Sequence, residues 1–88
     1  MASYNVRIKK SAAKEIEDLP KKDRQRVVEK IQNLAEDPRP FGVEKLAGSD
    51  IKLRIRQGDY RIVYEIDDKE RVVVIARVGH RRDVYRRR

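Results

Sequence analysis

Residues 51–66 constrain the fold more than any other stretch. Ile51, Leu53 and Ile55 alternate with Lys52, Arg54 and Arg56. Beyond Gln57-Gly58-Asp59, Ile62, Tyr64 and Ile66 alternate with Arg61, Val63 and Glu65. Two such runs around a Gly-containing break form a β-hairpin, and side-chain parity selects its register. A three-residue loop would set Ile62 beside Arg54 and mix core with charge. A two-residue Gly58-Asp59 loop instead pairs Arg56 with Arg61 and Arg54 with Val63. All the apolar side chains then share one face, while Lys52, Arg54, Arg56 and Arg61 share the other. A one-residue slip would bury charge, so the second register is expected.

The flanking sequence supplies what covers the apolar face. Tyr4, Val6 and Ile8 alternate with Asn5, Arg7 and Lys9, the pattern of a short strand. Ser11 offers a cap, and Ala12, Ile16 and Leu19 make an apolar stripe on a short helix. Pro20 ends that helix or opens the next. Between Lys21 and Glu36, Val27, Val28, Ile31, Leu34 and Ala35 lie on one helical face among charged and amide residues. The segment Asp37-Pro38-Arg39-Pro40-Phe41-Gly42 stops this second helix and starts a loop running to Ser49. A turn at Asp67-Asp68-Lys69 precedes Arg71–Val78, a continuous β-branched run that reads as a central strand. The expected fold is α+β in a single domain over residues 1–88. An N-terminal strand and a two-helix hairpin precede a three-stranded antiparallel meander, giving a four-stranded sheet with the helices on one face.

Charge then narrows the function. The 88 residues carry 23 Lys+Arg against 15 Asp+Glu, a formal net charge of +8. The half from residue 50 onward has the larger share, and Arg77, Arg81, Arg82, Arg86, Arg87 and Arg88 face only Asp83 between Ala76 and the C-terminus. Such an excess points to a polyanion, an acidic protein, or both in turn. The absence of cysteine excludes a disulfide scaffold and thiol chemistry. No apolar run reaches the ~18 residues of a membrane span, so no membrane partner and a cytoplasmic location are expected.

Four cations on one hairpin face, with no carboxylate nearer than Glu65, repel one another unless an anion fills the space between them. Arginine suits phosphate because its planar fork donates two hydrogen bonds at once. Val78-Gly79-His80-Arg81-Arg82-Asp83-Val84-Tyr85 follows the central strand. A tyrosine near a chain end commonly packs its ring, but among Arg and Lys its phenol is made more acidic, as a general base requires. His80 fits a phosphate donor, a proton-transfer group or a plain surface hydrogen-bonder.

Lys52-Leu53-Arg54-Ile55-Arg56-Gln57-Gly58-Asp59-Tyr60-Arg61-Ile62-Val63-Tyr64, followed by Val78-Gly79-His80-Arg81 and Val84-Tyr85, resembles the RelE toxins of bacterial and archaeal toxin–antitoxin pairs. The resemblance spans essentially the whole chain. The Gly-Asp-Tyr-Arg-x-x-Tyr stretch also occurs in the related ParE toxins, which poison DNA gyrase. Its combination with the upstream Lys-x-Arg pair and the downstream Gly-His-Arg and near-terminal Tyr marks the RelE type. The resemblance implies a ribosome-dependent mRNA endoribonuclease that uses no metal or other cofactor and acts on mRNA in the ribosomal A site. By position, Tyr85 would activate the 2′-hydroxyl, Arg61 would stabilise the phosphate charge, and Arg81 would assist the 5′-oxygen leaving group. Lys52 and Arg54 would hold the phosphate and keep Tyr85 acidic, with Arg54 standing where Lys is frequent. Arg56, Arg77, His80 and Arg82 would bind substrate. The implied partners are an acidic RelB-like antitoxin, mRNA and ribosomal RNA. The other readings are a gyrase-directed ParE-like toxin and a nucleic-acid-binding domain without catalysis.

Overall fold

β1 (Asn5–Ile8) runs into α1 (Lys10–Glu17) with a single residue between them. In the computed structural model, which describes residues 3–46, 48 and 52–80, these elements are followed by α2 (Lys21–Asn33), β2 (Glu44–Lys45), β3 (Lys52–Gln57), β4 (Tyr60–Asp67) and β5 (Val72–His80). The strands form one sheet in the order β1-β5-β4-β3-β2. The sheet has five strands where the sequence pattern gives four. The added β2 is two exposed residues on the sheet edge, held by Glu44 opposite Arg54 and Lys45 opposite Leu53.

Strand β1 lies parallel to β5, from Asn5 opposite Val72 to Ile8 opposite Ile75. Helix α1 begins without a side-chain cap: Lys9 occupies the cap position, and Ser11 lies within the helix. The Lys9 N–H donates to Ile75 O (3.0 Å), so the last bond of the β1–β5 ladder sets where the helix can start. Pro20 takes the corresponding position ahead of α2, where its missing N–H removes a donor that would lack a partner anyway. Past Asn33 the chain tightens into i→i−3 bonds, Ala35 to Gln32 and Glu36 to Asn33, both 3.1 Å. The second helix is therefore shorter than its apolar stripe.

The apolar stripes meet as their periodicity requires. Ala12, Ile16, Val27, Ile31 and Leu34 pack on Leu53, Ile55, Ile62, Tyr64, Ile66, Val73, Ile75 and Val78. The sheet residues come from cross-strand rows, Leu53–Tyr64–Ile75 and Ile55–Ile62–Val78. Ile75 and Val78 are three apart, so strict alternation would send them to opposite faces. The register slips between Val63 and Tyr64, leaving Ala76 as the extra residue of a bulge. Both Ile75 and Val78 thereby reach the core.

The loop after α2 is fastened at several points. Tyr64, fully buried, donates its hydroxyl to Pro38 O at 2.7 Å. Arg39 grips Asp68 in the β4–β5 turn with Nη1 at 3.1 Å and Nη2 at 2.9 Å. Tyr4 donates to Asp68 Oδ1 at 2.6 Å, and the Arg71 guanidinium sits 5.7 Å above the Tyr4 ring. Arg71 belongs to this turn, with φ 58°, and not to the strand that the apolar run suggested.

These bonds hold the Asp68 carboxyl down at about 2, mainly through Arg39 and secondly through Tyr4. A carboxylate depressed on folding contributes stability above its unfolded value and loses it as pH falls through the folded one. The Arg39 clasp should therefore open between about pH 4 and pH 2. Backbone NMR shifts of residues 38–42 should move in that window, and Asp68→Asn should show the loosened shifts already at neutral pH. Shifts that ignore pH in the wild type would rule out the clasp.

Candidate phosphate-binding cleft

The hairpin takes the register expected from parity: Arg56 faces Arg61, Arg54 faces Val63, and Lys52 faces Glu65. Gly58 supplies the turn with φ 61°, a conformation that costs other residues about 1 kcal/mol or more. With Leu53, Ile55, Ile62 and Tyr64 in the core, Arg54, Arg56 and Arg61 stand on the outer face with Val63. There they line one cleft of about 180 Å³ together with Gly42 and Glu44.

Glu44 corrects the expectation of a purely cationic face. Its Oε1 accepts from Arg54 Nε at 2.8 Å and from Nη2 at 2.7 Å. Glu44 reaches the cleft only through the pairing of the two-residue β2, which has no apolar alternation to mark it in the sequence. Glu65 is thus not the nearest carboxylate.

Arg61 also departs from the solvent-facing placement that parity alone suggests. It is half-buried, and its Nη1 is buried with no hydrogen-bond acceptor. Buried donors are nearly always satisfied, so an open one on a residue that also lines the cleft sets Arg61 apart from its neighbours. This is the site's most informative feature.

The other expected residues distribute differently. Lys52 begins β3 on the same outer face, opposite Glu65. Arg77 lies opposite Val63, but its Nε donates to Glu15 Oε2 of α1 at 3.3 Å. The same carboxylate accepts the Val78 N–H at 2.7 Å, satisfying the edge of β5 beyond the end of β1. Arg77 therefore serves the α1–β5 contact and does not line the cleft. His80 ends β5 opposite Tyr60, their rings edge-to-face at 5.9 Å. Tyr60 in turn donates to Asp23 Oδ2 of α2 at 3.2 Å. Tyr85, Arg81 and Arg82 lie outside the described residues.

A larger groove of about 410 Å³ lies between β1 and α2, lined by Tyr4, Val6, Ile8, Val28 and Ile31 among others. Among the described residues no charged side chain lines it, whereas the smaller cleft carries Arg54, Arg56 and Arg61. No described helix is long and apolar enough to cross a membrane.

Residues 6–85 match the family described as ParE toxin of type II toxin–antitoxin system, parDE. Toxin RelG of Mycobacterium tuberculosis is 39% identical over 88 residues, covering 96% of this chain and 98% of RelG. Among solved structures, the RelE–RelB complex of Pyrococcus horikoshii contains a similar chain, with TM-score 0.79 and 35% identity over 89% of this chain and 94% of that one. The RelBE2 toxin–antitoxin complex of M. tuberculosis gives TM-score 0.79 and 32% identity, over 90% and 99% of the two chains. This chain therefore belongs to the ParE toxin family of type II toxin–antitoxin systems and is a toxin of the RelE type.

Proposed function

We propose that this toxin cuts mRNA on translating ribosomes by in-line attack of a 2′-hydroxyl on the neighbouring phosphate. The observation that carries the reading is the unsatisfied, buried Nη1 of Arg61 in a cleft shared with Arg54 and Arg56. An RNA phosphodiester is an anion that guanidiniums lining such a cleft are suited to hold. Guanidiniums held before the substrate arrives stabilise charge on the non-bridging oxygens without reorganising during reaction.

Roles follow from charge and position. Tyr85, as phenolate, takes the 2′-hydroxyl proton while O2′ bonds to phosphorus. Arg61 and Arg54 hold the phosphate oxygens. The bond to O5′ breaks, with Arg81 or His80 neutralising the leaving oxygen. The products are a 2′,3′-cyclic phosphate and a 5′-hydroxyl. No metal enters this scheme.

The restraining partner in this reading is an acidic RelB-like antitoxin. The net charge of +8 supports it, as do the similar chains solved in RelE–RelB complexes. Action on translating ribosomes places the toxin in the cytoplasm.

Primer extension on mRNA from translating cells or extracts tests the reading. The expected result is a set of new 5′ ends phased to codons, appearing only when ribosomes translate the message. Intact transcripts together with blocked gyrase supercoiling would instead assign the chain to gyrase poisoning, the activity of ParE toxins.

A further inference from the structure

Phe41 is fully exposed, and it is the only phenylalanine in the chain. Single exposed apolar side chains are common, but three features set this one apart. First, its loop is not loose. Tyr64 holds Pro38, Arg39 grips Asp68, and Val43 N–H donates to Pro40 O at 3.1 Å across Phe41 itself. Pro38 and Pro40 restrict the backbone further. The ring is thus carried on a rigid turn, with part of its ordering entropy already spent.

Second, the next residue opens into the cationic cleft. Gly42 lines that cleft with Arg54, Arg56 and Arg61. Third, Gly42 has φ 92°, and a side chain placed there would meet nothing within 4 Å. The space at Gly42, which follows Phe41 in sequence and lines the cleft, is therefore open. An aromatic ring one residue from a phosphate cleft is the usual equipment for single-stranded nucleic acid: cations track the backbone and the ring takes a base. An apolar protein segment fits less well, because the cleft that begins at the next residue, Gly42, is lined by Arg54, Arg56 and Arg61.

We propose that Phe41 is a stacking platform for a nucleobase of the RNA whose phosphate occupies the Arg54–Arg56–Arg61 cleft. This rests on the cleft being a phosphate site, as argued above. It adds a base-contacting subsite that tolerates any base, because every base has a π-face.

The chain contains no tryptophan, so Phe41→Trp creates a single fluorescent reporter at the site. The probe is a 2′-O-methyl RNA trinucleotide, which lacks the attacking hydroxyl and stays whole. An abasic trinucleotide of the same charge is the control, both titrated at low salt. The indole emission of the Phe41→Trp variant should be quenched by the RNA and not by the abasic chain. Phe41→Leu keeps apolar bulk but loses the π-face. It should bind the RNA about fivefold to a hundredfold more weakly, with unchanged affinity for the abasic chain, an unchanged salt slope and an unchanged melting temperature.

Equal RNA affinity for wild type and Phe41→Leu, or an indole that the RNA leaves unquenched, overturns the proposal and leaves the ring to a protein partner. An equal loss for RNA and abasic chain also overturns it. Absence of binding by every variant removes the cleft as a phosphate site and overturns this inference with it. RNA that quenches the Phe41→Trp indole while ribosomal mRNA stays uncut would sink the nuclease reading alone.

Discussion

Arg61→Ala should lower codon-phased mRNA cutting by about 10²–10³-fold and leave the melting temperature unchanged or slightly raised. The two halves of this expectation come from one observation, the buried Nη1 without an acceptor. A buried unsatisfied donor costs about 1–3 kcal/mol, and the facing Arg56 adds repulsion across the hairpin. Truncation removes both costs. It also removes whatever the Arg61 stem contributes by packing, which offsets part of the gain. In the proposed reaction the same guanidinium would meet a phosphate gaining negative charge, where a preorganised donor has its largest effect. Arg61→Lys sharpens the test, because it keeps the charge and loses the planar fork. It should recover only a small part of the activity. Thermal unfolding beside primer extension separates the outcomes: lost cutting with a large fall in melting temperature would make Arg61 a structural residue.

The hairpin was readable from sequence because parity leaves no compromise. With apolar residues on every second position, a slip by one exchanges the whole core face for Lys and Arg, so the register follows. The same logic brings Arg54, Arg56 and Arg61 to one face from the sequence alone. The helices were readable for a similar reason, since Val27, Ile31 and Leu34 recur at helical spacing and are buried. What escaped has a different physical basis. Strand β2 is Glu44–Lys45, which has no apolar alternation and is held by pairing with β3 alone. With no such pattern, local spacing does not reveal Glu44 as the counter-ion of Arg54. The bulge at Ala76 hides inside an unbroken β-branched run, where every residue looks equally buried. Arg77 finds Glu15 across 62 positions of sequence, a contact that local spacing does not encode. Among the expected site residues, parity located those on the hairpin. Those of the C-terminal segment, Tyr85, Arg81 and Arg82, rest on the resemblance and on local charge.

Tyr85→Phe should abolish codon-phased cutting, a loss of about 10²–10⁴-fold, while ribosome binding persists. The chain has four tyrosines, and physical chemistry disfavours three of them as the base. Burial pushes the Tyr64 phenol up, and its hydroxyl is committed to Pro38 O. Tyr60 is raised by burial and then by Asp23, and Tyr4 is raised first by its bond to Asp68. A phenol moved upward is rarely ionised near neutral pH and makes a poor base. Tyr85 alone sits in a segment where Arg81, Arg82, Arg86, Arg87 and Arg88 outnumber Asp83, the setting that favours phenolate. Cutting by the wild type should therefore rise with pH as the attacking base loses its proton. Tyr60→Phe is the matched control: it deletes a hydroxyl bonded to Asp23 and should leave the cutting rate within about twofold, since only one hydrogen bond away from the cleft is lost. If Tyr85→Phe cuts as well as Tyr60→Phe, the 2′-hydroxyl proton goes to another group. His80, at the end of β5 beside Tyr60, is then the next titratable side chain to replace.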